Sequence, residues 1–565
     1  MTTSPPAAGI VDRAGAVTAL VDGWAASKPA ALAILAVLAL ASFLPGFASI
    51  PPIDGDEPRT AVAARQMVAS GDYASVRLET VAANDSPRGG FWVDAAALVL
   101  SRAGDAAPIR VYRLPSLAGG LVTVMLTWWL ALAFARPRAA LLAGALVAVA
   151  GILGLQARLA APDALFAASM TLAAGSLARL WREGDRADDR RMAAVFWIAV
   201  AFGFLLKGPL APAIAGAAIA VLSVERGGTV WLRRLKPPVW GVAVALVVGL
   251  SWPVAAAIGS AAGAGAPPVE VLTRLGVAFD VLAPPGTYLL LSLLLAGPMM
   301  TFILTAAPWI ADNARRPPIL FALAWGGPVW LAAELWPTKL PQHVLPAIPA
   351  IALIAAVAID AGGPRIAGRI SWFFSLGPVF WPPVLAVTFP VVFLLIEGRV
   401  PYLASVAFLA AAVLGPIAWV WLRRAQTVAA ASAAIVSSLL ILFGFFGGIV
   451  PGFTGLRASE RVAALLAETV PCPDPQVVAA GYPEETLVFT VGSRVTFRDA
   501  AGAADFLNGE GCRAAVVDTG QISSFRQRAE DLGLDLLDRG RVGGVNTRKL
   551  RRIGLHVFTV EVPAG

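Results

Sequence analysis

Apolar stretches long enough to cross about 30 Å of hydrocarbon, a distance that takes roughly 20 helical residues, recur from residue 30 to about residue 450. A backbone crossing lipid must satisfy its own hydrogen bonds, so a series of such runs predicts a bundle of membrane-spanning helices. Reading each run separately gives about thirteen spans, many carrying internal Gly and Pro. With 58% hydrophobic and only 14% charged residues, a water-soluble fold is excluded. Residues 1–27 lack a charged lead into a short apolar core and cleavage site, so residues 30–48 read as an uncleaved anchor.

The formal net charge of +8 invites a nucleic-acid reading, but the basic residues do not line one face. They cluster in alternate connections: Arg136 and Arg138; Arg179 to Arg191; Arg226 to Lys236; Arg315 and Arg316; Arg365 and Arg369; Arg423 and Arg424. The positive-inside rule makes that side the cytoplasm, puts the N-terminus inside and, with an odd number of spans, the C-terminus outside. The expected organisation is a cytoplasmic segment 1–29, a transmembrane region 30–453 with a long outer connection 51–108, and an outer domain 454–565. In that last part short apolar runs alternate with polar helical patterns: 477–480, 495–497, 514–517 and 556–562 read as strands, and 503–507 and 522–532 as helices. The fold class is therefore an all-α polytopic membrane protein with a small C-terminal α/β domain. Cys472 and Cys512 both fall in this domain, where an oxidising compartment permits a disulfide; unpaired buried thiols fit the sequence equally well.

Polar residues mark where chemistry is to be sought. Asp54-Gly-Asp-Glu-Pro-Arg59 opens a helical pattern that Gly71-Asp72 closes, with Ala61, Ala64, Met67 and Val68 as an apolar stripe fit to lie along an interface. Asp56 and Glu57 at its start serve as caps or as working carboxylates, and the two roles are compatible. Asp163, Lys207 and Lys339 fall where spans should end on the outer side. Singly, each lysine is explained by snorkelling; together, cations suit a phosphate and a carboxylate suits removal of a proton. A phosphate-cradling P-loop, zinc-ligand spacing and a Ser or Cys nucleophile beside a histidine are all absent from the sequence. No metal site is assigned; a divalent cation held by Asp56, Glu57 and Asp163 is left open.

The strings DEPRTAVAARQMVASGDY, RLPSLAGG, QARLAAPDA, LLKGPLAP and TKLPQHVLPAIPAIAL, in this order, resemble the class-C (GT-C) glycosyltransferases related to lipid A aminoarabinose transferase and protein O-mannosyltransferases. The resemblance implies a polyprenyl-phosphate sugar donor, an inverting displacement, and a lipid A, glycan or protein acceptor at the periplasmic face of a bacterial inner membrane. It implies catalytic roles for Asp56 and Asp163. Substrate contacts would come from Glu57, Arg59, Arg65, Arg158, Lys207 and Lys339. His343 stands one place beyond the usual Leu-Pro-His order. Relatives usually carry a lysine before Pro87; this chain has Ser86, so Arg88 becomes the candidate replacement for that charge. Two other readings share the helices and charges: a flippase for lipid-linked sugars, and a silent relative that binds them.

Overall fold

The computed structural model describes residues 8–74, 87–182, 186–236, 243, 246–248, 250–251, 283–337, 339–366, 368–470, 472, 474–492, 494–549 and 551–560. The chain is a multi-pass membrane protein. Among the described residues, seven helices are long and apolar enough to cross a membrane, or eight if the bent pair at the N-terminus counts as one span. Expectation and structure diverge where Gly and Pro break the apolar runs. The run at 139–155 becomes two short helices, α6 (Pro137–Ala148) and α7 (Gly151–Gln156), and the run at 288–310 divides into three. Most of the span expected at 239–258 lies outside the described residues.

The N-terminal pair is α1 (Ala8–Ala25) and α2 (Lys28–Phe43), bent by 113° at the break. After it come α3 (Asp56–Ser70) and α4 (Gly89–Ser101), then the long α5 (Ile109–Ala131). Helices α8 (Asp163–Trp181), α9 (Arg186–Lys207) and α10 (Leu210–Glu225) follow. α8 is the centre of the bundle, packed against α5 and α9. Its sequence explains this position, since small Ala, Ser and Gly residues let backbones approach without lipid between them. A Cβ on Gly119 of α5 would lie 2.6 Å from the Leu165 backbone nitrogen. The helices at 369–397 and 402–423 instead turn Leu395, Ile370, Val406 and Tyr402 outward, the arrangement expected against lipid chains.

Residues 476–560 form a five-stranded sheet of order β2-β1-β3-β5-β4, from β1 (Gln476–Ala480), β2 (Val495–Phe497), β3 (Arg513–Asp518), β4 (Leu536–Asn546) and β5 (Arg551–Val560). β1 runs parallel to both β2 and β3; β5 is antiparallel to β3 and β4. Period-two alternation divides the core in two. Val477, Val516, Leu555 and Val557 face the helix Ala458–Thr469, whereas Val478, Val517 and Phe558 face the helices Ala500–Leu507 and Ile522–Asp531. Cys472 and Cys512 are disulfide-bonded, with Cα atoms 6.3 Å apart.

Candidate active site

The helix expected from residue 56 to the Gly71 stop is α3, closed by Gly71 at φ +70°, a left-handed turn that glycine adopts without strain. Its apolar stripe does not lie on a membrane surface as expected. Ala61 and Ala64 pack against Ala95, Leu98, Tyr112 and Ala160, so protein covers the stripe.

At the start of α3 the two carboxylates part. Asp56 is exposed. Glu57 turns inward, 3% exposed, and receives Arg113 Nε at 2.6 Å and Nη2 at 2.9 Å in a bidentate pair. It also accepts the backbone N–H groups of Ala160 at 3.0 Å and Ile53 at 3.1 Å. Arg113 donates onward to the carbonyls of Phe47, Ile50 and Pro51. Desolvating a carboxylate and a guanidinium is tolerated here because the lone pairs and protons find partners. Glu57 is thus a brace of the first connection. Thr60 adds a second link, its hydroxyl donating to the Ala160 carbonyl at 2.6 Å.

These bonds tie the α3 N-terminus to the turn that enters α8, where Asp163 begins the helix. Asp163 Oδ1 meets Lys207 Nζ, at the last residue of α9, at 2.9 Å; their side chains are 9% and 29% exposed. The pair lies against the start of α4. A Cβ on Gly89 would stand only 2.6 Å from the Leu205 carbonyl oxygen, so glycine is needed there for α4 to seat, and one on Gly90 would stand 3.3 Å from Pro162, a tight contact between the residues preceding Asp163 and Lys207. Arg88 caps α4 beside Pro87, which approaches Gly208, and is 1% exposed. Its guanidinium is buried inside the protein. Ser86 lies outside the described residues.

Other candidates are placed elsewhere. The three protons of the Lys339 ammonium go to the carbonyls of Ala333, Glu334 and Trp336, at the end of the helix Pro317–Leu335. Lys339 therefore caps that helix. Arg158 donates to the carbonyls of Pro45, Gly154 and Ser42 and lies 4.1 Å from the Phe446 ring centre, which makes it a fastener between spans. Arg65 sits over the Phe489 ring at 4.6 Å and lines a cavity of about 450 Å³ with Asp105, Pro108 and Glu460, away from the Asp163–Lys207 pair. His343 Nδ1 is 3.3 Å from the Tyr288 hydroxyl, which itself donates to the Leu340 carbonyl. Arg59 is half-buried on α3. The trio considered for a divalent cation does not fit one: Glu57 and Asp163 are held by cations, and among the described residues no three His, Cys, Asp or Glu side chains are grouped for a metal.

Sequence reasoning missed Arg113, Thr60 and the Gly89–Gly90 seat. Arg113 carried a signal, since an arginine inside an otherwise apolar span is expected to have a buried partner. The others depend on contacts far apart in the chain, such as Thr60 with Ala160, 100 residues on.

Residues 85–252 match the family model of dolichyl-phosphate-mannose-protein mannosyltransferase. No curated protein sequence gives a significant match. The fold is similar to that of ArnT from Cupriavidus metallidurans bound to undecaprenyl phosphate, with 20% identity, TM-score 0.72, and coverage of 94% of this chain and 98% of that one. The apo form of the same enzyme gives 19% identity, the same coverage and TM-score 0.70. The oligosaccharyltransferase of Archaeoglobus fulgidus is more distant, at 13% identity and TM-score 0.50 over 90% of this chain and 69% of that one. In its fold the chain is similar to ArnT, and through α4 to α10 it resembles the mannosyltransferase family.

Proposed function

We propose that this protein transfers a sugar from a polyprenyl-phosphate carrier to an acceptor on the periplasmic side of a bacterial inner membrane, with inversion at the anomeric carbon. The observation that carries this reading is the partly accessible Lys207, paired with Asp163 and tied through Ala160 to the helix start where Asp56 is exposed. In the proposed step the acceptor hydroxyl oxygen attacks the anomeric carbon and its proton passes to Asp56. The bond from that carbon to the phosphate oxygen breaks, and the departing polyprenyl phosphate gains negative charge that Lys207 and Arg88 offset. Asp163 holds Lys207 in place. The lipid-linked donor is supported by the ArnT structure with undecaprenyl phosphate; the acceptor class, whether lipid A, glycan or protein, is set by pocket shape.

The test is transfer of label from the polyprenyl-phosphate sugar fraction of native membranes into membranes of a deletion strain. Asp56→Asn keeps the side chain's size and much of its capping ability but loses its negative charge and proton-accepting function, so turnover is expected to vanish while binding of undecaprenyl phosphate stays intact. Near-normal turnover would return Asp56 to capping. Arg88→Ala is expected to weaken donor binding and turnover by about tenfold or more. Reporter fusions after Arg191 and after Gly565 are expected to report opposite compartments; the same side for both would remove the proposed topology.

A further inference from the structure

Asp54, two residues before α3, has no part in the step above, yet among the described residues it accepts four hydrogen bonds from the C-terminal part of the chain. Its Oδ1 accepts the Tyr482 hydroxyl at 2.8 Å and the Thr486 hydroxyl. Its Oδ2 accepts the Thr547 N–H at 3.1 Å and the Thr547 hydroxyl at 3.3 Å. These donors come from two places on one edge of the C-terminal sheet: the segment leaving β1, and the turn joining β4 to β5.

That edge has a topological meaning. From β1 the chain passes to β2 on one flank, whereas from β3, on the other flank, it goes on to β4 and β5, so the strand order reverses between β1 and β3. In open α/β sheets the crevice beyond the carboxyl ends of the strands at such a point is where ligands bind. Here the first connection of the membrane region supplies the occupant. The socket is itself braced. Tyr482 also meets the Ser459 hydroxyl at 3.1 Å, and Glu484 accepts Asn546 Nδ2 at 2.9 Å, which fixes the β4–β5 turn. Further along α3, Arg65 stacks on Phe489 and Val62 joins the core of the sheet domain. Residues 482–491 therefore hold α3 both before its first turn and along its length.

We propose that Asp54 is a positioning residue for sugar transfer: by gripping its carboxylate, the C-terminal domain fixes the start of α3 and hence the place of Asp56 relative to the Asp163–Lys207 pair. The proposal rests on the reading of Asp56 as the proton acceptor. A catalytic group displaced by about 1 Å loses on the order of a hundredfold in rate, while a donor phosphate held by other residues keeps its affinity. The expected signature is therefore a split between turnover and binding.

The experiment uses purified full-length protein, undecaprenyl phosphate as the binding probe and labelled polyprenyl-phosphate sugars from native membranes as the turnover probe. Asp54→Asn and, as a variant that keeps the ring and its packing, Tyr482→Phe are expected to lower turnover tenfold or more with undecaprenyl phosphate affinity within threefold of the parent. The double variant should be no slower than Asp54→Asn alone, and the pH at which turnover rises should stay where it is in the parent. Parental turnover in both single variants, or equal losses of binding and turnover, would overturn the proposal. Asp56→Asn in the same assay separates the two failures: if it stays active, the reading of the base is wrong; if it is dead while Asp54→Asn is normal, only the positioning role fails.

Discussion

Two parts of the membrane region make opposite use of similar material. α8 has a mean hydropathy of 1.3 and is 83% buried, whereas the segment Arg369–Glu397 reaches 2.3 and is only 11% buried. In water the more apolar helix would be the inner one. In lipid the outside is as apolar as the inside, so burial is decided by which side chains let backbones close up and which polar groups need partners. Ala, Ser, Gly and the charged ends of spans go to the α5–α8–α9 core; Leu, Phe and Ile go to the periphery.

The contrast is broken most severely at the buried ion pair. Glu57→Gln leaves Arg113 charged among fixed carbonyls and is expected to destabilise the protein by about 3 to 5 kcal/mol, read as a fall in thermal midpoint in detergent. Arg113→Met should cost a similar amount, and the double variant less than the sum of the two. Additive losses would show that the two side chains act independently. Next in size is a close approach: Gly119→Val on α5 must push Leu165 away and is expected to lower stability by about 1 to 3 kcal/mol. A neutral result would mean that α5 and α8 are not locked at that crossing.

The third effect is a slope. Burial lifts the Glu484 carboxyl above the ordinary 4.5, against the pull of the Asn546 hydrogen bond and with Asp54 adding to the rise. Below 4.5 folded and unfolded chains both hold the proton; above it the unfolded chain releases it first, so this residue's contribution to stability is lost as pH rises through the folded value. The stability of Glu484→Gln relative to the parent is therefore expected to improve from pH 4 to pH 7, in thermal melts followed by tryptophan fluorescence; a constant difference would contradict it. Smallest of all, Leu395→Ala on the lipid-facing helix should stay within about 0.5 kcal/mol of the parent, despite removing more apolar surface than any of the others.

Much of this was legible beforehand, for identifiable reasons. The start and stop of α3 announce themselves through acids, an early proline and a glycine, and strands such as 495–497 through alternation with turn signals on each side. β4 was missed because Asp-Arg-Gly-Arg-Val-Gly-Gly has no clean two-residue period; it is an edge strand with an irregularity between Asp538 and Gly540. The destinations of Glu57 and Lys339 were not legible because a linear reading identifies charges without their partners. An acid at a helix start looks the same whether it meets solvent, as Asp56 does, or an arginine from the next span.

The grip on Asp54 also has a consequence in time. Thr547 follows Asp54 by 493 residues, so at ribosomal speeds the carboxylate emerges roughly 25 to 100 s before the last of its partners. Throughout that interval the spans can insert while the start of α3 is held from the membrane region, by Arg113 and Ala160, and its socket in the sheet domain is still incomplete. A chain stalled anywhere before the β4–β5 turn would sit in the bilayer with the grip on Asp54 incomplete.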